Sequence, residues 1–275
     1  VRNDRQESAM SADTYEIYAV RHAHHHRLAR ESFLGGDPHD DSPMPLDYFV
    51  WAIVGESRTL ILDTGFDEAM AKKRQREFLR PPRDGLLAIG IDPATVGDVV
   101  ISHMHYDHAG NRDLFPNATY HLQDREMAFC TGRCMCHPQL RRSFEKDDVG
   151  AMVRRLFAGR VQFHDSTGEI APGITEHHVG GHTAGLQVMR VKTQRGWIVL
   201  AADASHFYAN FEQMRAYATV YNVGDMLEGF ATVKLLASSP AHVIPGHDPL
   251  VLRRYPAPKP ELDGIAVRLD VEPRQ

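Results

Sequence analysis

Residues 102–111 read Ser-His-Met-His-Tyr-Asp-His-Ala-Gly-Asn and close an apolar run, VGDVVIS, at residues 96–102. His103, His105, Asp107 and His108 thus put three imidazoles and a carboxylate within six residues, at the end of what reads as a buried strand. On a tight turn, side chains at i and i+2 reach one metal ion while the next pair turns toward a second. Imidazole and carboxylate donors suit zinc, iron, cobalt or manganese, because nothing soft is required. A merely polar surface turn rarely spends three histidines in this way.

One turn cannot complete two metal sites, so further donors must come from other strand ends. Gly180-Gly181-His182-Thr183 lies between two predicted strands, and Asp203 closes the apolar run WIVLAA at residues 197–202. Pro245-Gly246-His247-Asp248 follows a last short strand at residues 242–245. An acid at the end of an apolar strand is costly without a partner, which singles out Asp203.

Working outward, further strands are predicted at residues 15–21, 48–54, 59–62, 119–122, 161–164, 174–178, 186–191 and 197–201. The second and third of these form a hairpin across residues 55–58. Helices are predicted at 67–79, around 85–89, at 124–130, from about 147, and at 222–236, where apolar residues recur at helical spacing. Residues 22–46, rich in Gly, Pro, Asp and His, read as a long loop carrying a solvent-facing His24-His25-His26 run. Residues 1–13 read as a disordered leader, 14–252 as a single α/β domain with sheets packed between helices, and 253–275 as a loose proline-rich tail.

The chain has 275 residues, 43% hydrophobic and 24% charged, an ordinary globular balance that supports a core without disulfide or metal staples. A net charge of −5 argues against nucleic acid as the main partner. No stretch approaches the roughly 18 apolar residues of a membrane span. The three cysteines, Cys130, Cys134 and Cys136, are an odd set in one short segment, so a disulfide framework is not expected and a reducing cytoplasm is. Of the 17 histidines, only those at strand ends carry a spacing argument.

The order H-x-H-x-D-H, G-H-T, D and G-H resembles the metallo-β-lactamase fold superfamily across residues 48–248. That resemblance implies an αββα sandwich, two mixed sheets between helices, with two divalent metal ions at one edge. Zinc is the first expectation, with iron, manganese or cobalt also compatible. It implies that His103, His105 and His182 hold one metal, that Asp107, His108 and His247 hold the other, and that Asp203 bridges them. Asp63, in the LDTG turn at residues 62–65, matches the family's acid that orients a ligand histidine. Within the superfamily the chain is most similar to the N-acyl-homoserine lactonases, on LILDTGFD, SHMHYDHAGN, Asp203 and the GHD at residues 246–248.

The activity implied is opening of a lactone or other small ester by a hydroxide shared between two metals about 3.5–4 Å apart. Asp107 or Asp203 would carry the proton to the leaving oxygen. One departure stands out: these lactonases commonly place a tyrosine three residues after the bridging aspartate, and here that position is His206. His206 becomes the candidate for stabilising the carbonyl oxygen, with Tyr208 as the other group within reach. The 22–46 loop and residues 130–144, with Arg141 and Arg142, would contact substrate. Phe207, Tyr208 and Phe211 would line an acyl pocket or belong to the core. The competing readings are a thioesterase of the glyoxalase II type and a non-catalytic metal-binding protein; a true β-lactamase is disfavoured by Asp203 in place of a cysteine. No nucleic-acid or membrane partner is expected, and the resemblance allows a homodimer.

Overall fold

A computed structural model of the chain describes residues 14–274; the leader expected at residues 1–13 lies outside the described residues. The strands are β1 (Glu16–His25), β2 (Leu46–Val54), β3 (Thr59–Leu62), β4 (Glu77–Phe78), β5 (Asp98–Val100), β6 (Thr119–Gln123) and β7 (Val161–His164). They continue as β8 (Thr167–Ala171), β9 (Ile174–His178), β10 (Gln187–Thr193), β11 (Gly196–Leu200), β12 (Val243–Ile244) and β13 (Ala266–Arg268). The first sheet runs β13-β1-β2-β3-β5-β6-β7, with β4 added to β1, and the second runs β12-β11-β10-β9-β8. Both are mixed: β3-β5-β6-β7 and β11-β12 pair in parallel, the remaining pairs antiparallel.

Alternation along β2 explains how the layers meet. Phe49, Trp51 and Ile53 enter the core shared with Val188, Met189 and Ile198 of the second sheet. Val50 and Ala52 point the other way, into a core closed by Leu86 of helix Pro82–Ala88 and Met152 of helix Lys146–Phe157. A strand covered on both faces reads as a continuous apolar run, and residues 48–54 do. Helix Val223–Leu236 adds Met226, Phe230 and Val233 to the inter-sheet core. The αββα expectation is met.

Several boundaries differ from the sequence reading. The loop expected from residue 22 begins later, because β1 continues to His25 against β2 and β4. The predicted helix 67–79 stops at Arg74, where Gln75 takes a left-handed φ of 56°, and the chain returns as β4. β8 was not anticipated, since TGEIA carries little apolar signal. The tail is not loose: β13 closes the outer edge of β1 and buries Ala266 and Val267 completely, so that edge is paired rather than left open. Helix Leu250–Arg254 likewise continues past the expected boundary.

His22 is the residue most changed by this correction. Expected in a loop, it is fully buried between Phe66 and Tyr48, and neither ring nitrogen has a hydrogen-bond partner. Burial, followed by repulsion from His247 and His108, pulls its pKa down to about 3. The unfolded chain therefore binds a proton here that the folded chain refuses. Stability from this group is complete above the ordinary imidazole value near 6.5 and is lost as pH falls from there toward 3. At pH 5 the loss is about 2 kcal/mol, from roughly 1.4 kcal/mol per pH unit. Denaturant titrations of His22→Leu against the parent should show a shallower decline in stability between pH 6.5 and 5.

Candidate metal centre

Most of the predicted donors sit just beyond a strand. Asp63 follows β3, His103 and His105 follow β5, His182 follows β9, Asp203 follows β11 and His247 follows β12. Asp107 and His108 lie on the short helix Tyr106–Ala109 that begins right after His105. The turns carrying them approach closely. A Cβ on Gly181, whose φ is +83°, would lie 2.5 Å from the backbone of Met226, and one on Gly246 would lie 2.5 Å from the Ala202 carbonyl oxygen. Only glycine lets the His182 turn lie against helix Val223–Leu236, and the His247 turn against the Asp203 turn.

The side chains gather into two groups. His103 Nε2, His105 Nδ1 and His182 Nε2 lie 2.9–3.1 Å from one another. Asp107, His108 and His247 form the second group, with Asp107 Oδ2 at 3.6 Å from His108 Nε2 and 3.8 Å from His247 Nε2. Asp203 stands between them. Its Oδ2 is 3.2 Å from His182 Nε2, and its Oδ1 is 3.2 Å from His108 Nε2 and 2.8 Å from His247 Nε2.

Hydrogen bonds on the far side of each ring fix which nitrogen is bare. Asp63 Oδ2 accepts from Ser102 Oγ at 2.8 Å and from His108 Nδ1 at 2.7 Å. With its own proton directed at Asp63, Ser102 Oγ can only accept from His103 Nδ1, at 3.0 Å. His182 Nδ1 donates to the Thr219 carbonyl at 2.7 Å and His247 Nδ1 to the Asp47 carbonyl at 2.9 Å. All four rings thus turn an Nε2 lone pair inward. Lone pairs about 3 Å apart, beside a carboxylate, repel unless cations lie among them. His108 Nε2 and Asp203 Oδ1 are buried without any hydrogen-bond partner, which fits the same conclusion. This all-nitrogen and oxygen donor set fits divalent first-row metals.

Without cations, protons feel a divided field. Burial, then neighbouring imidazoles, holds His103 and His105 well below the ordinary imidazole value. Burial also opposes charge on His108, but Asp203, Asp63 and Asp107 outweigh it and raise its pKa well above that value. For Asp203, burial is likewise outweighed, and the imidazoles around it, His247 first, hold its carboxyl far below the usual range.

Three structural supports escaped the sequence reading. Glu126, fully buried, accepts from Met104 N at 2.8 Å, Thr183 Oγ1 at 2.6 Å and Gly185 N at 3.0 Å. It thereby ties the turn between His103 and His105 to the loop after His182. Tyr217 stacks on His206, with ring centroids 3.7 Å apart, and its hydroxyl donates to the Asp203 carbonyl. Asp47 accepts from His24 Nδ1 at 2.7 Å while its own carbonyl orients His247. Of the histidine run, only His26 is fully exposed, as expected of all three; His25 faces the cavity over the site.

His206 lies in that cavity, its Nε2 at 2.9 Å from Asp203 Oδ2, and burial first of all lowers its pKa to about 3. Tyr208 and Phe211 pack in the inter-sheet core, with Phe207 also buried. Cys130 is buried, and burial first of all raises its thiol pKa; Cys134 and Cys136 form part of a short turn, and all three are free. Phe144 packs behind the site, bridging to His105 and meeting its ring edge-on at 4.5 Å.

The fold and this geometry place the protein in a known class. Residues 44–252 match the metallo-beta-lactamase superfamily, and the chain belongs to it. It is similar to N-acyl homoserine lactonase AttM of Azorhizobium caulinodans, 31% identical over 166 residues that cover 59% of this chain and 62% of that protein. It is also similar to N-acyl homoserine lactonase AiiA of Bacillus thuringiensis subsp. kurstaki, 26% identical over 135 residues, 48% of each chain. The matches thus span less than two thirds of these relatives' length. Among solved structures, a quorum-quenching N-acyl homoserine lactone lactonase superposes with a TM-score of 0.71 at 20% identity, over 86% of this chain and 94% of that one. No helix among the described residues is long and apolar enough to cross a membrane.

Glu126 offers a direct check on how the site is held. Glu126→Ala strands three buried donors, at about 1–3 kcal/mol each. Denaturant unfolding should show at least about 3 kcal/mol of lost stability, and metal analysis a lower metal content. Full metal content in the folded variant would mean that Glu126 does not hold the site together.

Proposed function

We propose that this chain is a metal-dependent hydrolase with a dinuclear centre that opens a lactone or a similar small ester. The observation that carries the reading is the placement of Asp203, one oxygen toward each group of imidazoles. The similarity to lactonases supports the substrate class. His103, His105 and His182 would hold one metal, Asp107, His108 and His247 the other, with Asp203 shared between them. Two divalent ions so held, zinc by the donor set with iron, manganese or cobalt compatible, would polarise an ester carbonyl and lower the pKa of an attacking water.

The chain's own residues do the rest. Asp107 is the least buried of the site's carboxylates and lines the cavity. The oxygen of its carboxylate not turned to the histidines would take the proton released as water adds to the carbonyl and return it to the leaving alkoxide, giving the hydroxy acid. His206, neutral at physiological pH, spends its Nε2–H on Asp203 Oδ2, so we assign it the positioning of that carboxylate rather than direct contact with the carbonyl oxygen. Phe144, packed on His105, limits water on that side of the site. Three unpaired cysteines support a reducing compartment, the cytoplasm.

Metal analysis followed by a pH-stat assay over lactones, esters, thioesters and β-lactams tests the reading. Chelation should abolish turnover and lower the melting temperature, with zinc restoring both. His103→Ala and Asp203→Asn should each lose metal and reduce kcat/KM by at least about a hundredfold. Full metal content and activity in both variants would overturn the site assignment. A metal-loaded protein without turnover on any ester would leave the binding-protein reading.

A further inference from the structure

The cavity over the clustered histidines measures about 350 Å³, and its rim carries four guanidinium groups, Arg27, Arg74, Arg76 and Arg142. This is a marked local reversal in a chain whose net charge is −5. Arg74 pairs with Glu145, a carboxylate it shares with Lys73. The other three make only neutral contacts. Arg27 donates to the Glu31 carbonyl. Arg76 donates to Tyr106 Oη at 3.2 Å, to His25 Nε2 at 3.1 Å and to the Arg74 carbonyl at 2.6 Å. Arg142 donates to Thr219 Oγ1 at 3.3 Å.

The cavity's acids compensate for them only in part: Glu31 pulls on Arg27 and Asp107 on Arg76, and no acid of the cavity is hydrogen-bonded to any of the three guanidiniums among the described residues. Asp107 and Asp203 face the imidazoles, and Glu31 accepts from the Leu28 backbone at 2.9 Å. Burial lowers the pKa of Arg27 against the pull of Glu31 and Tyr48, with repulsion from Arg76 and Arg142 adding to the burial; for Arg76 burial is outweighed by Tyr48, Tyr106 and Asp107, and its pKa is raised. Like charges gathered at a cavity mouth cost stability unless a ligand of opposite sign uses them.

Building on the hydrolase reading above, we infer that the natural substrate is an anionic lactone or ester, whose carboxylate or phosphate is gripped by Arg27, Arg76 and Arg142 while its ester carbonyl lies over Asp107 and Asp203. Guanidinium forks match either anion in two-point hydrogen bonds. Arg142 holds a further position of interest, because Thr219, its hydroxyl partner, also supplies the carbonyl that orients His182. An anion drawn to Arg142 would thus sit against the residue that sets one of the clustered imidazoles.

Matched pairs of substrates separate charge from shape. With the zinc-loaded full chain, kcat/KM would be measured for γ-butyrolactone-γ-carboxylate against its methylcarboxamide, and for a lactone phosphate monoester against the same lactone with a free hydroxyl. The anionic member of at least one pair should be favoured by roughly tenfold to a hundredfold, the range for hydrogen bonds to charged groups. The pair that responds identifies the anion. That preference should shrink with rising ionic strength and fall about tenfold in Arg142→Gln and in Arg27→Gln, each checked for folding by its melting curve. Equal or better turnover of the neutral member in both pairs would overturn the proposal, as would a preference that survives in both variants. If no compound is turned over, the hydrolase reading fails, and calorimetric titration with succinate and with phenyl phosphate decides the anion site alone. Binding weakened in both arginine variants supports it, and no binding, or equal binding in all three proteins, sinks it.

Discussion

The carboxylate of Asp203 is 3% exposed and is surrounded by imidazoles, those of His182 and His206 on one oxygen and those of His108 and His247 on the other. A charge taken this far from water must be matched by opposite charge or by hydrogen bonds. The inward nitrogens of His182, His108 and His247 are bare, each ring's other nitrogen being committed to a carbonyl or to Asp63. Compensation must therefore come from cations or from additional protons on the histidines. Much of the surrounding structure serves to keep these groups close despite their mutual repulsion.

That service is done by buried acids and backbone carbonyls. Asp63 sits at the end of β3 with a φ of 63° and accepts from Ser102 N, Ser102 Oγ and His108 Nδ1. One side chain thereby sets the tautomers of His103 and His108 and fixes the turn between them. Glu126 joins two chain segments on the opposite side. Parallel pairing of β3 with β5, and of β11 with β12, brings the ends of these strands to the same edge, where the donors can meet.

The donors were legible in sequence because their chemistry is concentrated by residue type: few structural roles require histidines at 103, 105 and 108 together. The supports were not. Glu126 occupies the first turn of an ordinary helix, Asp124–Thr131, and becomes a clamp only when residues near 104 and 184 arrive beside it. Asp47 orients His247 through a carbonyl that any residue could supply. Tyr217 reaches Asp203 from 14 positions along the chain, with no pattern linking the two. Strand β13 carries a short apolar signal, Ala266 and Val267, whose meaning depends on an open edge at β1, far away in sequence. The crowded run His24–His26 misled in the other direction. Read as loop polarity, it lies largely on β1, where alternation sends His24 to Asp47 and His25 to Arg76.

The exchange expected at residue 206 acquires a physical meaning from its neighbour. A tyrosine three positions after Asp203 would carry a phenol hydroxyl in place of the imidazole. His206 instead lies flat on Tyr217, with an interplanar angle of 22°, and its Nε2 is turned to Asp203. Tyr217 in turn holds the carbonyl of Asp203, so the aspartate is gripped at both its backbone and its side chain. The donors of both rings are thus committed to fixing the carboxylate on which the site depends. Elsewhere on the cavity wall the most donor-rich groups are guanidiniums, those of Arg27, Arg76 and Arg142 among them.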